Sequence, residues 1–417
     1  MSVTGFSIRP RATCRICGAT PLETYLDLTD QPPSNSFIAP EALAQEKRFP
    51  LQVALCTRCG FSQLNNIVAS DQIFDDYLYL SSTSRALCNH YQTLIDQALA
   101  RFNSAQNALA VDIGCNDGIM LKRYPAGRCR LLGIEPSSAG RYAREAGFEV
   151  VDAFFDRELA AQIVASHGQA SIITATNVFA HVDDIASFAG GIARLLAPQG
   201  VYIIEFPYAR DMIDRLYFDT IYHEHLSYLS LTPLERLFSG LGLRSFHVER
   251  AEIGASGPAL RLFVCLKDAD HATSEAYLAM RAEEEAWGID RPERYRDFAQ
   301  RVGAFRQDML KLIADLQGQG AKIGAMGAPA KGNTMLNYLG LGPGQIPAVA
   351  ENNDLKVGKL TPGSHIPIVS DEDFLKMGFT HALLLTWNYA DFFLKNSAFV
   401  KQGGKFILPF PQPHVAP

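Results

Sequence analysis

One stretch limits the architecture more than any other. Ala108-Leu-Ala-Val-Asp-Ile-Gly-Cys-Asn-Asp-Gly118 is an apolar strand that breaks into a glycine turn, and a helical pattern follows from Ile119. Strand, tight turn and helix in that order make a βαβ unit, whose crossover helix lies on one face of a parallel sheet. Gly114 and Gly118 let the backbone turn sharply and approach a ligand closely. The pattern then repeats. Leu131-Leu-Gly-Ile-Glu135 is a second apolar strand, ending in a carboxylate seventeen residues after Gly118. Val150 to Phe155 is a third, with Asp152 and Phe154 placed to meet a purine. Ile172 to Asn177 is a fourth, with His181 about one helical turn further on, and Val201 to Tyr208 is a fifth, with Glu205 at its tip. Alternating strands and helices predict an α/β fold with a doubly wound parallel sheet.

The turn also narrows the ligand. Asp112, Gly114, Asn116 and Gly118 spell D-x-G-x-N-x-G, without the third glycine of the dinucleotide fingerprint G-x-G-x-x-G. It resembles motif I of class I S-adenosylmethionine-dependent methyltransferases, with Asn116 in the middle-glycine place. Asparagine tolerates left-handed backbone better than most residues. An acidic residue at the tip of the second strand takes ribose hydroxyls, which is the place of Glu135. The expected cofactor is S-adenosyl-L-methionine rather than NAD, held by Asp112, Gly114, Asn116, Gly118, Glu135, Asp152, Phe154 and Asn177.

At 417 residues the chain has room for two or three domains, and 47% hydrophobic with 20% charged residues is a globular composition. A net charge of −6 argues against a nucleic-acid partner. No run of about 18 apolar residues occurs, so no membrane span is expected. The first ten residues lack the apolar stretch of a signal peptide, which points to the cytoplasm.

Cys14-Arg-Ile-Cys17 and Cys56-Thr-Arg-Cys59 are paired knuckles, each followed by glycine. Together Cys14, Cys17, Cys56 and Cys59 complete the four-thiolate shell that zinc prefers, with no open position, so the metal is read as structural. It would stabilise a segment whose loop, Pro32-Pro-Ser-Asn35, has no core of its own. Tyr77 and Tyr79 run into hydroxyls at Ser81 to Ser84, either as an amphipathic element with a helix cap or as a lid over a polar ligand.

Thr220-Ile-Tyr-His-Glu-His-Leu-Ser-Tyr-Leu-Ser230 is dense in proton-transfer groups and falls just beyond the fifth strand's tip, where ligands of such sheets sit. On a strand, His223 and His225 would share a side and could chelate a metal, but no third ligand is evident. The four-cysteine clip, D-I-G-C-N-D-G, N-V-F-A-H and Y-H-E-H-L-S-Y-L-S, in this order over nearly the whole chain, resemble the sugar C-methyltransferases that act on nucleotide-linked 4-keto-deoxysugars. The chemistry matches the residues. Methylating carbon needs a base to remove the hydrogen next to a ketone and a donor to hold the resulting oxyanion. The resemblance makes His225 the base at C3, Glu224 and Tyr222 its supports, and places His181 with Tyr77 or Tyr79 near the keto group; His223 has no assigned role. One departure stands out. Where the family often carries an H-G-G-S-x-R-like turn, this chain reads Gly254-Ala-Ser-Gly-Pro-Ala-Leu-Arg261, so Arg261 either meets the sugar or belongs to a β connection.

Residues 272–318 are charged with helical period and read as solvated helices with one packed face. Beyond them Lys322 to Thr334 is a second strand, glycine turn and helix, followed by further strands at Ile346, His381 and Lys405. This smaller Rossmann-like sheet would hold the diphosphate near Lys331 and Asn333, with Glu351 and Asn388 reading ribose or base, unless its glycine turn is only structural. The expected domains are 1–80 (zinc-binding), 81–250 (S-adenosylmethionine-binding) and 251–417 (nucleotide-sugar-binding with connecting helices), acting as a monomer. Competing readings are a zinc-ribbon methyltransferase of RNA or protein and a catalytically silent nucleotide-sugar binder.

Overall fold

The computed structural model describes residues 8–68, 80–102, 106–251 and 257–416. The amino-terminal region supplies strands β1 (Ile8–Pro10), β2 (Glu23–Gln31), β3 (Phe49–Cys56), β4 (Phe61–Leu64) and β5 (Asn66–Val68). The middle region supplies β6 (Ala108–Ile113), β7 (Cys129–Ile134), β8 (Glu149–Val151), β9 (Ala170–Thr176), β10 (Leu196–Phe206), β11 (Ser227–Tyr228), β12 (Leu243–Ala251) and β13 (Ala259–Leu266). The carboxyl-terminal region supplies β14 (Ile323–Met326), β15 (Val349–Ala350), β16 (Ile368–Val369), β17 (His381–Leu384), β18 (Lys405–Leu408) and β19 (His414–Val415).

Seven middle strands form one sheet in the order β12-β13-β10-β9-β6-β7-β8. Strands β6 to β10 run parallel, and only β13 is antiparallel to its neighbours. The near-continuous apolar runs follow from helices covering both faces. β6 is the middle one of the five parallel strands, and its glycine turn opens where the strand order reverses, the usual ligand crevice of such sheets. The carboxyl-terminal sheet has the order β16-β15-β14-β17-β18-β19, parallel except at β19.

The amino-terminal region does not stand apart. Cys14, Cys56, Cys59 and Phe61 pack into the core beneath the seven-stranded sheet, while Leu26, Leu28, Leu51 and Val53 join the core of the carboxyl-terminal sheet. β11, from the end of the Thr220–Ser230 stretch, adds an antiparallel strand to β4. The zinc-binding region is therefore a wedge touching both other layers.

The helix Pro292–Gly318 buries Tyr295, Phe298, Val302, Phe305, Met309 and Ile313, a single stripe at three- and four-residue spacing. The preceding helix, Glu275–Trp287, corrects one expectation. Glu284, within a run read as solvated, is fully buried and accepts hydrogen bonds from Tyr208 Oη (2.7 Å) and the backbone amides of Leu231 (2.9 Å) and Thr232 (2.6 Å). It caps the helix Leu231–Ser239 from outside, and a capping carboxylate is stabilised by that helix's dipole. Among the described residues no helix is long and apolar enough to cross a membrane.

Candidate active site

The four cysteine sulfurs lie within 4.8 Å of one another, with Cys14–Cys59 and Cys17–Cys56 each 3.5 Å apart. Zinc–sulfur bonds of about 2.3 Å in a tetrahedron place sulfurs roughly 3.8 Å apart, so the site fits zinc without rearrangement. No other group of three or more potential ligands occurs among the described residues. His223 and His225 do not chelate, because the segment is a turn rather than a strand, with the His225 amide bonded to the Tyr222 carbonyl at 2.9 Å. His223 turns to β3, donating from Nε2 to the Phe49 carbonyl (3.3 Å), while His225 packs edge-on against His181 with ring centroids 4.9 Å apart. His223 thus pins the turn to the zinc-binding region.

One cavity of about 1970 Å³ runs from the β6 turn, past Thr220, Tyr222, Glu224 and His225, to the carboxyl-terminal sheet. At its first end lie Asp112, Gly114, Asn116, Glu135, Phe154 and Asn177. Asn116 takes the left-handed conformation, φ 49°, and its side chain accepts from the Ser81 amide (3.0 Å). Glu135 accepts from the amides of Asn116 (2.8 Å) and Ser137 (2.9 Å), one on each oxygen, which leaves each oxygen a further lone pair for a ribose hydroxyl. Burial raises Asp112 to about 7, opposed by a 2.6 Å hydrogen bond from Thr174. Asn177, also left-handed, has both side-chain amide atoms buried without partners among the described residues. An unpaired donor and acceptor beside the turn fit the amino and carboxylate groups of S-adenosyl-L-methionine, whose activated methyl this end of the cavity would present. Two residues expected here are elsewhere. Asp152 is exposed and lies 3.9 Å from Arg144, while Phe154, also past the end of β8, lines the cavity with its ring half-exposed. Gly118 serves the turn's packing, since a side-chain carbon there would come within 3.1 Å of Ala143.

Mid-cavity, His225 is fixed at both nitrogens. Nδ1 lies 2.7 Å from the Thr220 carbonyl, which can only accept, so Nδ1 carries the hydrogen. Nε2 is therefore the bare nitrogen and accepts from the Tyr222 hydroxyl at 2.8 Å. Burial, followed by the neighbouring His181, lowers His225 to about 3, so it is neutral at pH 7. His181 is itself lowered to about 4 by burial, against hydrogen bonds to the carbonyls of Glu224 and Asn177. Glu224 is pushed up to about 7 by burial; Oε1 accepts from Asn35 Nδ2 at 3.1 Å, and Oε2 has no partner among the described residues. Asn35 was not legible as a site residue, because nothing in a Pro-Pro-Ser-Asn loop signals which surface it meets. Tyr77 and Tyr79 lie outside the described residues.

The far end carries Lys331, Lys356, Lys359 and Asn388. Lys331 Nζ donates to Asn388 Oδ1 (2.5 Å) and lies 4.1 Å from the Trp387 ring centre, while Trp387 Nε1 donates to buried Asp219 (2.6 Å). Three other expected substrate residues face away. Asn333 is fully buried and donates to the Ser34 carbonyl (2.8 Å). Glu351 is occupied by the amides of Ala328, Asn352 and Asn353 and by Lys356 at 3.6 Å. Arg261 sits within β13, paired with Glu205 and Glu249 at 3.1 Å each, and Gly254, Ala255 and Ser256 of the expected turn lie outside the described residues.

The sheet order, a glycine turn with a carboxylate on the next strand, and a thiolate clip define a class I S-adenosylmethionine-dependent methyltransferase with a structural zinc site. Family models agree, matching residues 14–74 as a zinc binding domain, 86–248 as a methyltransferase domain and 254–411 as a C-methyltransferase C-terminal domain. The chain is 34% identical over 411 residues to the C-methyltransferase NovU of Streptomyces niveus, covering 98% of this chain and 97% of that one. A ubiquinone biosynthesis O-methyltransferase of Rhodopseudomonas palustris is 26% identical over 103 residues, 24% of this chain and 41% of that protein. Among solved structures, an S-adenosylmethionine-dependent methyltransferase of Clostridium acetobutylicum aligns at 10% identity with a TM-score of 0.33, covering 43% of this chain and 91% of that one. The chain belongs to the C-methyltransferase family, and it moves a methyl group from S-adenosyl-L-methionine to carbon.

Proposed function

We propose that the methyl acceptor is C3 of a nucleotide-linked 4-keto-deoxysugar and that His225 removes the C3 proton. The observation that carries this reading is the single cavity with opposite charge at its two ends. Asp112 and Glu135 line the end with the glycine turn, and Lys331, Lys356 and Lys359 line the other. A nucleotide diphosphate at the lysines is favoured electrostatically. The hexose then spans the distance to Tyr222, Glu224 and His225.

In that pose the Tyr222 hydroxyl turns from His225 Nε2 to the C4 oxygen, and the freed Nε2 takes the C3 proton. The electron pair left on carbon delocalises onto the C4 oxygen. Tyr222, whose hydroxyl already donates at this spot, is the available donor for that oxygen. A neutral histidine is required for the first step, and burial secures it at all but acidic pH. S-Adenosyl-L-methionine supplies the electrophilic methyl that the carbon then takes.

The test has two parts. Enzyme with S-adenosyl-L-methionine and a nucleotide 4-keto-deoxyhexose should give a product heavier by one methyl, read by mass spectrometry. In deuterated water without the methyl donor, wild type should wash deuterium into C3, and His225→Asn should slow that exchange by at least about 10²-fold, the usual worth of a positioned general base. Undiminished exchange in the variant removes His225 from the role.

A further inference from the structure

We propose that Asn35, carried on the loop between the two halves of the zinc clip, is a positioning residue that holds the Glu224 carboxylate ionised against the sugar. The loop is not a passive connector. It is tied to the carboxyl-terminal region by reciprocal backbone hydrogen bonds between Ile38 and Leu360 (3.3 and 2.8 Å). Glu46 adds contacts to the Gly363 amide (2.7 Å) and His365 Nε2 (2.8 Å), and Ser34 is held by Asn333. A loop anchored this way presents Asn35 at a fixed place on the cavity wall. Its side-chain Nδ2 reaches Glu224 Oε1 at 3.1 Å, and its backbone amide is directed at the same carboxylate.

The chemistry of the surroundings gives those two donors their weight. Glu224 is 3% exposed, and no ion pair to it occurs among the described residues. The titratable groups around it are Tyr228 of β11, which feels its charge, His181 beyond β9, which bonds the Glu224 backbone carbonyl, and its neighbours Tyr222 and His225 on the turn. Both histidines are held neutral by burial, and burial raises Tyr228 well above its ordinary value. A buried carboxylate with no cation beside it ionises only as far as hydrogen-bond donors stabilise its charged form. Its own backbone amide and Asn35 are those donors. With Oε1 held by Asn35, the partnerless Oε2 is the oxygen left to accept a sugar hydroxyl. The carboxyl-terminal region therefore acts on the reaction at one remove, by fixing the loop that carries Asn35. This inference rests on the sugar reading only in naming what Oε2 accepts.

The test needs no turnover for its first arm. Zinc-loaded full-length protein labelled with ¹³C at glutamate carboxyls is titrated by NMR, and the Glu224 signal is assigned by its loss in Glu224→Gln. The wild-type midpoint is expected near 7. Asn35→Ala should raise it by about one pH unit, and Asn35→Asp by more, since a like charge adds to the lost donor. An unmoved midpoint in the alanine variant, at unchanged zinc content and melting temperature, overturns the proposal. Should that variant fail to fold, the isosteric Asn35→Asp decides alone, and no upward shift overturns it. In the second arm, the acid limb of kcat/KM on the nucleotide sugar should move up by the same shift. A limb that stays put while the NMR midpoint moves overturns the catalytic half. If wild type does not turn over that sugar, the substrate assignment falls, and the titration still decides on Asn35.

Discussion

The protein contains two glycine turns, each following an inner parallel strand, β6 leading into the short 3-10 turn Leu121–Arg123 in place of the helix expected from Ile119 and β14 into the helix Ala330–Leu339, and they do different work. At the β6 turn, Asp112, Gly114 and Asn116 line the cavity, and Glu135 on the next strand lines it too. At the β14 turn the corresponding groups are spent internally. A side-chain carbon on Gly327 would come within 2.5 Å of Thr386, and one on Gly332 within 2.7 Å of Leu385, so these glycines permit close packing of the turn and helix against the segment after β17. Glu351, the counterpart of Glu135, is occupied by three backbone amides and Lys356. Lys331 is the residue of this turn that combines a charge with a place on the cavity wall. A glycine pattern after a strand establishes that backbone must come close to something. Whether that something is a ligand or the protein itself depends on what stands opposite.

The largest effect expected from this contrast is at Glu135. Glu135→Gln removes the charge that would accept ribose hydroxyls, and hydrogen bonds to charged groups are worth about 1.5–3 kcal/mol. S-Adenosylhomocysteine affinity, measured by calorimetry, should weaken by roughly ten- to hundredfold. Nucleoside diphosphate affinity should not change. An unweakened cofactor site would make Glu135 as internal as Glu351 and dissolve the distinction between the turns.

The limits of sequence reading follow from the same contrast. The parallel sheets were legible, because apolar runs alternating with helical periods have few alternative folds. The zinc site was legible because four cysteines at matched spacing admit one geometry. Tyr222, Glu224 and His225 of the Thr220–Ser230 stretch line one cavity with the preceding His181, as their residue types suggested. What failed depended on facing. Asp152 and Phe154 are two apart, yet Phe154 lines the cavity while Asp152 is turned out to solvent. Asn333 lies in the first turn of the helix Ala330–Leu339 and Glu351 just past β15, and only tertiary contacts to Ser34 and Ala328 decide that they are structural. Asn35 and Asp219 escaped notice because their partners are 189 and 168 residues away.

The next effect is at Lys331, and it carries a pH dependence. Burial lowers this lysine to about 8, although Asp219 pulls the other way. Below that pH it is charged and attracts a diphosphate; above it the charge is lost. KM for the nucleotide sugar should therefore rise as pH climbs through about 8 in wild type. Lys331→Met should raise KM by about tenfold at pH 7, equivalent to about 1.4 kcal/mol, and flatten that rise. Steady-state kinetics across pH 6.5 to 9 (roughly one unit or more either side of the step) measure both. A KM indifferent to the substitution would leave the second turn without any ligand role.

The smallest effect on binding belongs to Glu351, and it is the sharpest test of the contrast. Glu351→Gln keeps the side chain's size and removes one of its two acceptor oxygens. A backbone amide of Ala328, Asn352 or Asn353 then loses its partner, at a cost of about 1–3 kcal/mol for a buried donor. The melting temperature should fall, while nucleoside diphosphate affinity per folded molecule stays as in wild type, because Lys356 keeps its 2.9 Å hydrogen bond to the Ala328 carbonyl. The opposite pattern, full stability with a tenfold weaker nucleotide, would mean that Glu351 reaches a ribose after all and that both turns are ligand turns.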